Sequence, residues 1–314
     1  MTRPRIVVCA YSDVGHACLA HLLERNANVV AVYTHADAPG ETIWFPSVGQ
    51  LAHEHGIPVF VDRNLTDAAE VAAFERLQPD LLFSFYFRHM LPSRVLAVPR
   101  LGAYNMHGSL LPKYRGRAPV NWAVLHGETE TGATLHVMTA KADAGDIVDA
   151  ERVAIGDDDT AAEVQQRVTG AAVRVLARQL DALEAGTASR RPQDHAAATY
   201  FGRRRPEDGA IDWCRSSGEI HNLIRAVSHP YPGAFAPLAG RTTTIWRSRR
   251  TSLAAHGAQP GHHECRDGKL VVACGDDRYL EIVSAQRAGE PELTGAELGR
   301  RIMTDHHHNS VTTA

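Results

Sequence analysis

With 314 residues and 44% hydrophobic content, the chain is long enough for two modest domains with real cores, which excludes extensive disorder except at its end. A formal net charge of -3 offers no global attraction for nucleic acid and weighs mildly against a tRNA substrate, although a local basic patch remains compatible with it. The five cysteines are odd in number and form no CxxC pair, the N-terminal MTRPRIVVCAYSD meets an acidic residue too early for a secretory signal, and no apolar run reaches bilayer length, so a cytoplasmic protein with reduced thiols and no membrane partner is expected.

In chain order, short apolar runs alternate with helical patterns over the first 190 residues, which predicts an α/β domain with a mostly parallel, Rossmann-like sheet. The candidate strands are IVVCA (6–10), VVAVY (29–33), PVFV (58–61), DLLFSFY (80–86), AYNMH (103–107) and ATLHVM (133–138). Between them GHACLAHLLER, SVGQLAHEHG and DAAEVAAFERLQ read as helices. The first strand–helix turn, AYSDVGHA, has one glycine where a dinucleotide fingerprint needs three, so NAD is not expected. Phe83, Phe85 and Phe87 alternate in the fourth strand and read as core.

A longer helix should begin at Thr160, where Thr160 and Glu163 have capping-box spacing, and run to Gly186 with Val164, Val168, Val175 and Leu183 on one face. Beyond about Thr187 the composition turns to Ala, Arg, Pro and Gln, the mark of a linker. The helix pattern GEIHNLIRAV and the runs TTTIW, KLVVAC and YLEIVSAQ then predict a small β-rich domain. These boundaries give a catalytic domain over 1–190, a linker over 191–206, a C-terminal domain over 207–302 and a flexible tail over 303–314. His306, His307 and His308 in that tail cannot by themselves build a rigid coordination shell, and the same holds for His262, His263 and Cys265, so no metal is expected.

The most informative stretch is NMHGSLLPKYRGRAP, from Asn105 to Pro119. Asn105 and His107 are one strand repeat apart and should point to the same side. Together they can bind a carbonyl oxygen while its carbon is attacked, the amide donating hydrogen bonds and the imidazole handling a proton. A carboxylate beside an imidazole favours its cationic form, and Asp143-Ala144-Gly145-Asp146, following ATLHVM, offers two candidates that spacing alone cannot separate.

These motifs closely resemble the folate-dependent formyltransferase family, whose signature is an Asn-x-His followed by Ser-Leu-Leu-Pro, an Arg-Gly and a downstream Asp-x-Gly-Asp. Within it the chain is most similar to the formyltransferase half of the bifunctional polymyxin-resistance enzyme, on the segments THADAPGE (34–41), SFYFRHMLP (84–92), YRGRAPVNW (114–122), FGRRRPED (201–208) and HPYPGAF (229–235). The likeness covers almost the whole chain. It implies an OB-like open barrel at the C-terminus and transfer of a formyl group from 10-formyltetrahydrofolate, without a metal, to the 4-amine of UDP-4-amino-4-deoxy-L-arabinose on the route to modified lipid A. Methionyl-tRNA formyltransferase and other sugar-nucleotide N-formyltransferases share the plan and are the alternatives. The dehydrogenase-decarboxylase half has no counterpart here, so a separate partner is expected for that step.

The resemblance also assigns residues. The catalytic set is Asn105, His107 and, as the first aspartate of its motif, Asp143. Folate contacts fall on His89, Met90, Leu91 and Arg117, and on the backbone of Thr139, Ala140, Lys141, Ala142 and Asp143. A Met/Leu pair at a strand end suits a flat pteridine, with main-chain groups reading its polar edge. Arg203 and Arg204 have the guanidinium forks to grip a diphosphate, or else pair with carboxylates such as Glu207 and Asp208.

Overall fold

The computed structural model describes residues 3–40 and 42–311, with side chains described as far as Met303. It divides into two compact units, one comprising Met1–Val120, Glu130–Ala154 and Val164–Arg203, the other Asn121–Thr129, Ile155–Glu163 and Arg204–Ala314.

The first unit holds a seven-stranded sheet. In chain order its strands are β1 (Ile6–Ala10), β2 (Val29–Thr34), β3 (Val59–Val61), β4 (Leu81–Phe85) and β5 (Gly102–His107), followed, after a two-residue strand β6 (Arg115–Gly116), by β7 (Glu130–Val137) and β8 (Ile147–Ala154). The spatial order is β3-β2-β1-β4-β5-β7-β8. The first five are parallel, and β7 and β8 add antiparallel at one edge. Every residue of β1 and β4 is buried, as continuous apolar runs at the centre of a parallel sheet should be.

Helices α1 (Ser12–Glu24), α2 (Val48–Glu54) and α3 (Ala68–Arg76) form where the apolar periodicity placed them. After short α4 (Ser93–Leu96) and α5 (Pro119–Leu125), α6 (Ala161–Glu184) has Val164, Val168 and Val175 fully buried and Leu183 nearly so. Its capping box forms, with Glu163 Oε2 accepting from the Thr160 backbone N–H at 2.7 Å, and Gly186 ends the helix at φ +70°. Phe83 and Phe85 stack in the core with ring centroids 5.5 Å apart, but Phe87 lies past the end of β4, half-buried.

β8 was not expected from the sequence. Its IVDAERVA buries Ile147 and Val153 while Asp149 and Glu151 pair with Arg178 and Arg174 of α6, so the charges that interrupt the apolar pattern find their partners on the neighbouring helix. The stretch expected as linker is also built into the first unit as far as Arg203. Arg191 pairs its backbone with Ile147, Gln193 is 6% exposed, and β9 (Tyr200–Phe201) runs parallel to β6. Polar composition concealed this because the burial is of polar groups.

The second unit contains α7 (Ser217–Val227), opened by a Ser216/Glu219 capping box. An antiparallel sheet follows, built from β10 (Ala234–Leu238), β11 (Arg241–Ala254), β12 (His263–Arg266), β13 (Lys269–Ala273) and β14 (Arg278–Arg287) in the order β10-β11-β14-β13-β12, with β15 (Leu293–Thr294) on β14. Of the stretch expected as a flexible tail, residues 303–311 continue α8 (Gly295–Val311), and 312–314 lie outside the described residues. The imidazoles of His306, His307 and His308 lie outside the described side chains. Cys9, Cys18 and Cys274 are buried thiols, Cys214 and Cys265 exposed ones, and all five are free. Among the described residues no helix is long and apolar enough to cross a membrane, and no group of three or more metal-ligating side chains occurs.

Candidate active site

The site lies at the carboxyl end of β5, where the sheet changes from parallel to antiparallel. Asn105 and His107 project to the same side, and the β5–β7 register sets Asn105 opposite His136 and His107 opposite Thr134. Asp143 enters from the loop after β7. Its Oδ1 lies 3.3 Å from Asn105 Nδ2, 3.6 Å from His107 Nδ1 and 3.4 Å from His136 Nε2, while Oδ2 accepts from the Gly116 backbone N–H at 2.9 Å. The aspartate that meets the imidazole is therefore Asp143; Asp146 is exposed, and its backbone carbonyl accepts from the Val137 N–H.

The hydrogen bonds fix which atoms can exchange protons. His107 is 5% exposed and its Nε2 lies 2.8 Å from the Tyr114 carbonyl, which only accepts, so Nε2 carries a proton and Nδ1 faces Asp143. In His136, Nδ1 donates to the Val137 carbonyl at 2.9 Å, leaving Nε2 3.1 Å from Asn105 Nδ2. A neutral His136 accepts from that amide, and a protonated one donates to Asp143 instead. Burial works to raise the Asp143 pKa, but the imidazoles of His107 and His136 and the Gly116 amide outweigh it and hold the carboxyl well below the usual carboxylate range.

The loop Asp143-Ala144-Gly145-Asp146 turns at its first residue and is crowded at its glycine. The left-handed residue is Asp143 itself, at φ +52°. Gly145 is needed for a different reason, since a Cβ there would lie 2.0 Å from the Val137 carbonyl oxygen.

Two residues of this cluster escaped the sequence reading. His136 sat inside an ordinary apolar strand pattern, and only the cross-strand register brings it to Asn105. Gln193 lay in the supposed linker. Its Nε2 donates to the Asp143 and Gly145 carbonyls at 2.9 and 2.6 Å, and its Oε1 accepts from the buried Arg115 at 3.2 Å (Nε) and 2.6 Å (Nη2). Arg115 also contacts His195 Nδ1 at 3.1 Å and donates to the Tyr200 hydroxyl. The Arg115–Gln193 pair thus splints the Asp143 loop from behind.

A cavity of about 310 Å³ opens in the same unit. Two segments of chain, residues 63–66 and residues 87–91, form its walls and Arg117 completes the lining, so His89, Met90, Leu91 and Arg117 share one space. Leu65 and Leu91 are buried while Met90 is 57% exposed. Thr139, Ala140, Lys141 and Ala142 do not line it. Thr139 Oγ1 donates to the Lys141 carbonyl, and Lys141 Nζ stands 5.2 Å from the Tyr200 ring centroid. In the second unit Arg204 lies over Trp122, 4.8 Å from its centroid, and donates to the Asp208 backbone carbonyl, whereas Arg203 of the first unit is exposed.

A family profile described as Formyl transferase matches residues 5–180, more than half of the chain, and one described as Formyl transferase, C-terminal domain, matches residues 204–302. The chain belongs to the formyl transferase family. Among solved structures, this formyltransferase is similar in fold to WlaRD, a sugar 3N-formyl transferase determined in the presence of dTDP and 5-N-formyl-THF, with a TM-score of 0.71 at 19% identity over 93% of this chain and 100% of that one. An N-formyltransferase from Helicobacter canadensis, complexed with folinic acid and dTDP-3-aminofucose, matches with a TM-score of 0.71 at 21% identity, covering 91% of this formyltransferase and 100% of that chain. HypX from Aquifex aeolicus, in complex with tetrahydrofolic acid, matches with a TM-score of 0.65 at 18% identity over 96% of the present chain and 48% of its own.

Proposed function

We propose that this formyltransferase transfers the formyl group of 10-formyltetrahydrofolate to the 4-amine of UDP-4-amino-4-deoxy-L-arabinose. The observation that carries the formyl-transfer chemistry is the convergence of Asn105 and His107 on Asp143 Oδ1, at 3.3 and 3.6 Å, at a strand end. The chemistry of its lining supports the cavity as the folate site: Phe87, Met90, Leu65 and Leu91 offer apolar surface to a flat ring, and Arg63, Arg88 and Arg117 offer cations to carboxylates. The donor, when bound, supplies a formyl carbon already activated on nitrogen.

The chain's own groups then have distinct tasks. Asn105 donates an amide hydrogen to the oxygen on which negative charge develops. Both of its amide hydrogens have partners within the cluster, so the 3.3 Å contact with Asp143 is the one to be redirected. His107 takes the proton shed by the attacking amine at Nδ1, Nε2–H being committed to Tyr114. Asp143 stabilises the resulting imidazolium. The bond from amine nitrogen to formyl carbon forms as the bond to the folate nitrogen breaks, and that nitrogen regains a proton through the same histidine.

The sugar-nucleotide acceptor is supported by the subfamily-like segments YRGRAPVNW and FGRRRPED and by the dTDP and dTDP-3-aminofucose found with the two sugar-transferase neighbours. Arg203 and Arg204 remain the candidates for the diphosphate. In this reading the reaction belongs to lipid A modification, and hence polymyxin resistance, in the cytoplasm. The test compares kcat/KM for UDP-4-amino-4-deoxy-L-arabinose and for methionyl-tRNA under identical folate and salt conditions. More efficient formylation of the tRNA overturns the acceptor assignment, and formyl release independent of any acceptor overturns transfer itself.

A further inference from the structure

His35, in the THADAPGE segment, is a buried imidazole that the chemistry above does not use. Its Nε2 lies 3.1 Å from the backbone N–H of Arg88, which can only donate, so Nε2 is an acceptor and carries no proton. The ring hydrogen is therefore on Nδ1, 3.3 Å from Asp62 Oδ1. Asp62 immediately precedes the wall formed by residues 63–66, and Arg88 belongs to the opposite wall. One imidazole thus joins both sides of the cavity.

The surroundings hold that ring in place. Phe87 stacks on it with centroids 4.3 Å apart, His89 meets it edge-on at 4.6 Å, and Tyr11 does so at 5.7 Å. The carbonyl of Arg88 accepts from Arg117 Nη2 at 3.0 Å, so the main chain of this residue is pinned through its N–H by His35 and through its C=O by Arg117. Asp62, left-handed at φ +51°, also accepts from the Ala36 N–H at 3.3 Å.

We propose that His35 is the positioning residue that sets the spacing of the two walls of the donor cavity, and that its neutral form is the one competent to bind donor. The proposal rests on the reading that this cavity takes the reduced folate. The groups facing the ring are Asp62 from the turn after β3, Arg88 and His89 from the 87–91 wall, and Tyr11 after β1, whose hydroxyl donates to Asp37 at 2.8 Å. Burial lowers the His35 pKa first, and the charges of His89 and Arg88 lower it further, against the opposing pull of Asp62. The ring is thus neutral at neutral pH. Acid puts a hydrogen on Nε2, two donors then face each other, and the 87–91 wall is released. If only a fraction of molecules keeps the walls at the binding distance, the apparent dissociation constant rises by the inverse of that fraction.

The experiment measures binding of 5-formyltetrahydrofolate, a non-transferring probe, to the full chain between pH 5 and 8, with wild type, His35→Phe and His35→Gln compared. Phenylalanine keeps the stacking and loses both polar contacts; glutamine can still accept from the Arg88 N–H and does not titrate. Expected are probe binding about tenfold weaker in His35→Phe at neutral pH, the scale of one lost hydrogen bond with its donor left unpaired, substantial recovery in His35→Gln, and acid weakening in wild type that is absent from His35→Gln. KM for the acceptor and kcat at saturating donor should be unchanged. Equal binding by all three proteins, or the same acid weakening in His35→Gln, overturns the positioning role. Failure of wild type to bind the probe at any pH overturns the donor reading of the cavity instead. Should His35→Phe prove unfolded by its melting curve, the pH comparison of wild type with His35→Gln decides alone.

Discussion

The Asp143 loop and the 87–91 loop carry the two halves of the candidate chemistry and are held in opposite ways. Asp143 is locked from several directions: its carboxylate touches two imidazoles, an amide side chain and a backbone N–H, and its own carbonyl is held by Gln193, which is anchored in turn by the buried Arg115. The 87–91 loop is held through the Arg88 main chain, the Phe87 ring on His35 and the buried Leu91, and its Met90 stands largely in solvent. A group that must handle a proton tolerates little displacement, because a small misplacement at the reacting centre costs large factors in rate. A surface that admits and releases a cofactor needs give.

The contrast predicts where each substitution registers. Loss of the proton carrier is the severest change: His107→Ala should lower kcat by about a hundredfold or more with the fold intact, and Asn105→Ala should do nearly as much, both read in a turnover assay beside a melting curve. Turnover near normal in His107→Ala would break the catalytic half of the comparison. Asp143→Asn removes the charge that stabilises the imidazolium, so kcat should fall with His107 left in place; turnover near that of wild type would dissociate Asp143 from His107.

Gln193→Ala sharpens the comparison, since it leaves the carboxylate in place but frees its loop. A decrease in kcat of about tenfold with little change in donor KM is expected, the scale of one to two lost buried hydrogen bonds. Met90→Ala should behave in the mirror sense, raising donor KM severalfold through lost apolar contact while kcat at saturation holds. Identical KM-to-kcat patterns for these two variants would erase the distinction between the loops.

The smallest effect is on stability. The Asp143 pKa is depressed in the fold, so its contribution is present above the unfolded carboxylate value of about 3.9 and is lost as pH falls through the folded value. The melting-temperature gap between wild type and Asp143→Asn should therefore be level from neutral pH down to about pH 4 and close in stronger acid. A gap that closes already near pH 6 would assign the titration to another group.

Much of this was legible in the sequence because it rests on local rules. The runs of β1 and β4, the Thr160–Glu163 capping box and the α6 face of Val164, Val168 and Val175 obey periodicity and capping, which short stretches of chain reveal. The same-side placement of Asn105 and His107 follows from the strand repeat alone. His136 and Gln193 were hidden because their roles depend on long-range pairing: β5 against β7 for one, and a hydrogen bond spanning 50 residues for the other. β8 was hidden by Asp149 and Glu151, whose partners lie on α6. Which aspartate meets His107 was likewise a question of loop path, settled by the left-handed turn at Asp143 and the close approach at Gly145.

The antiparallel pairing of β5 with β7 also constrains how the gene can vary. Because Asn105 and His107 meet His136 and Thr134 across a ladder whose side-chain period is two, inserting or deleting one residue inside either strand would carry half of the cluster to the opposite face of the sheet. The connection between the strands has no such parity. Length changes among relatives should accordingly be nearly absent from both strands and from residues 114–117, whose carbonyl, amide and guanidinium groups hold the site, and gather in the turn 126–129 before β7, a pattern that a library of single-codon insertions scanned across residues 100–140 would expose.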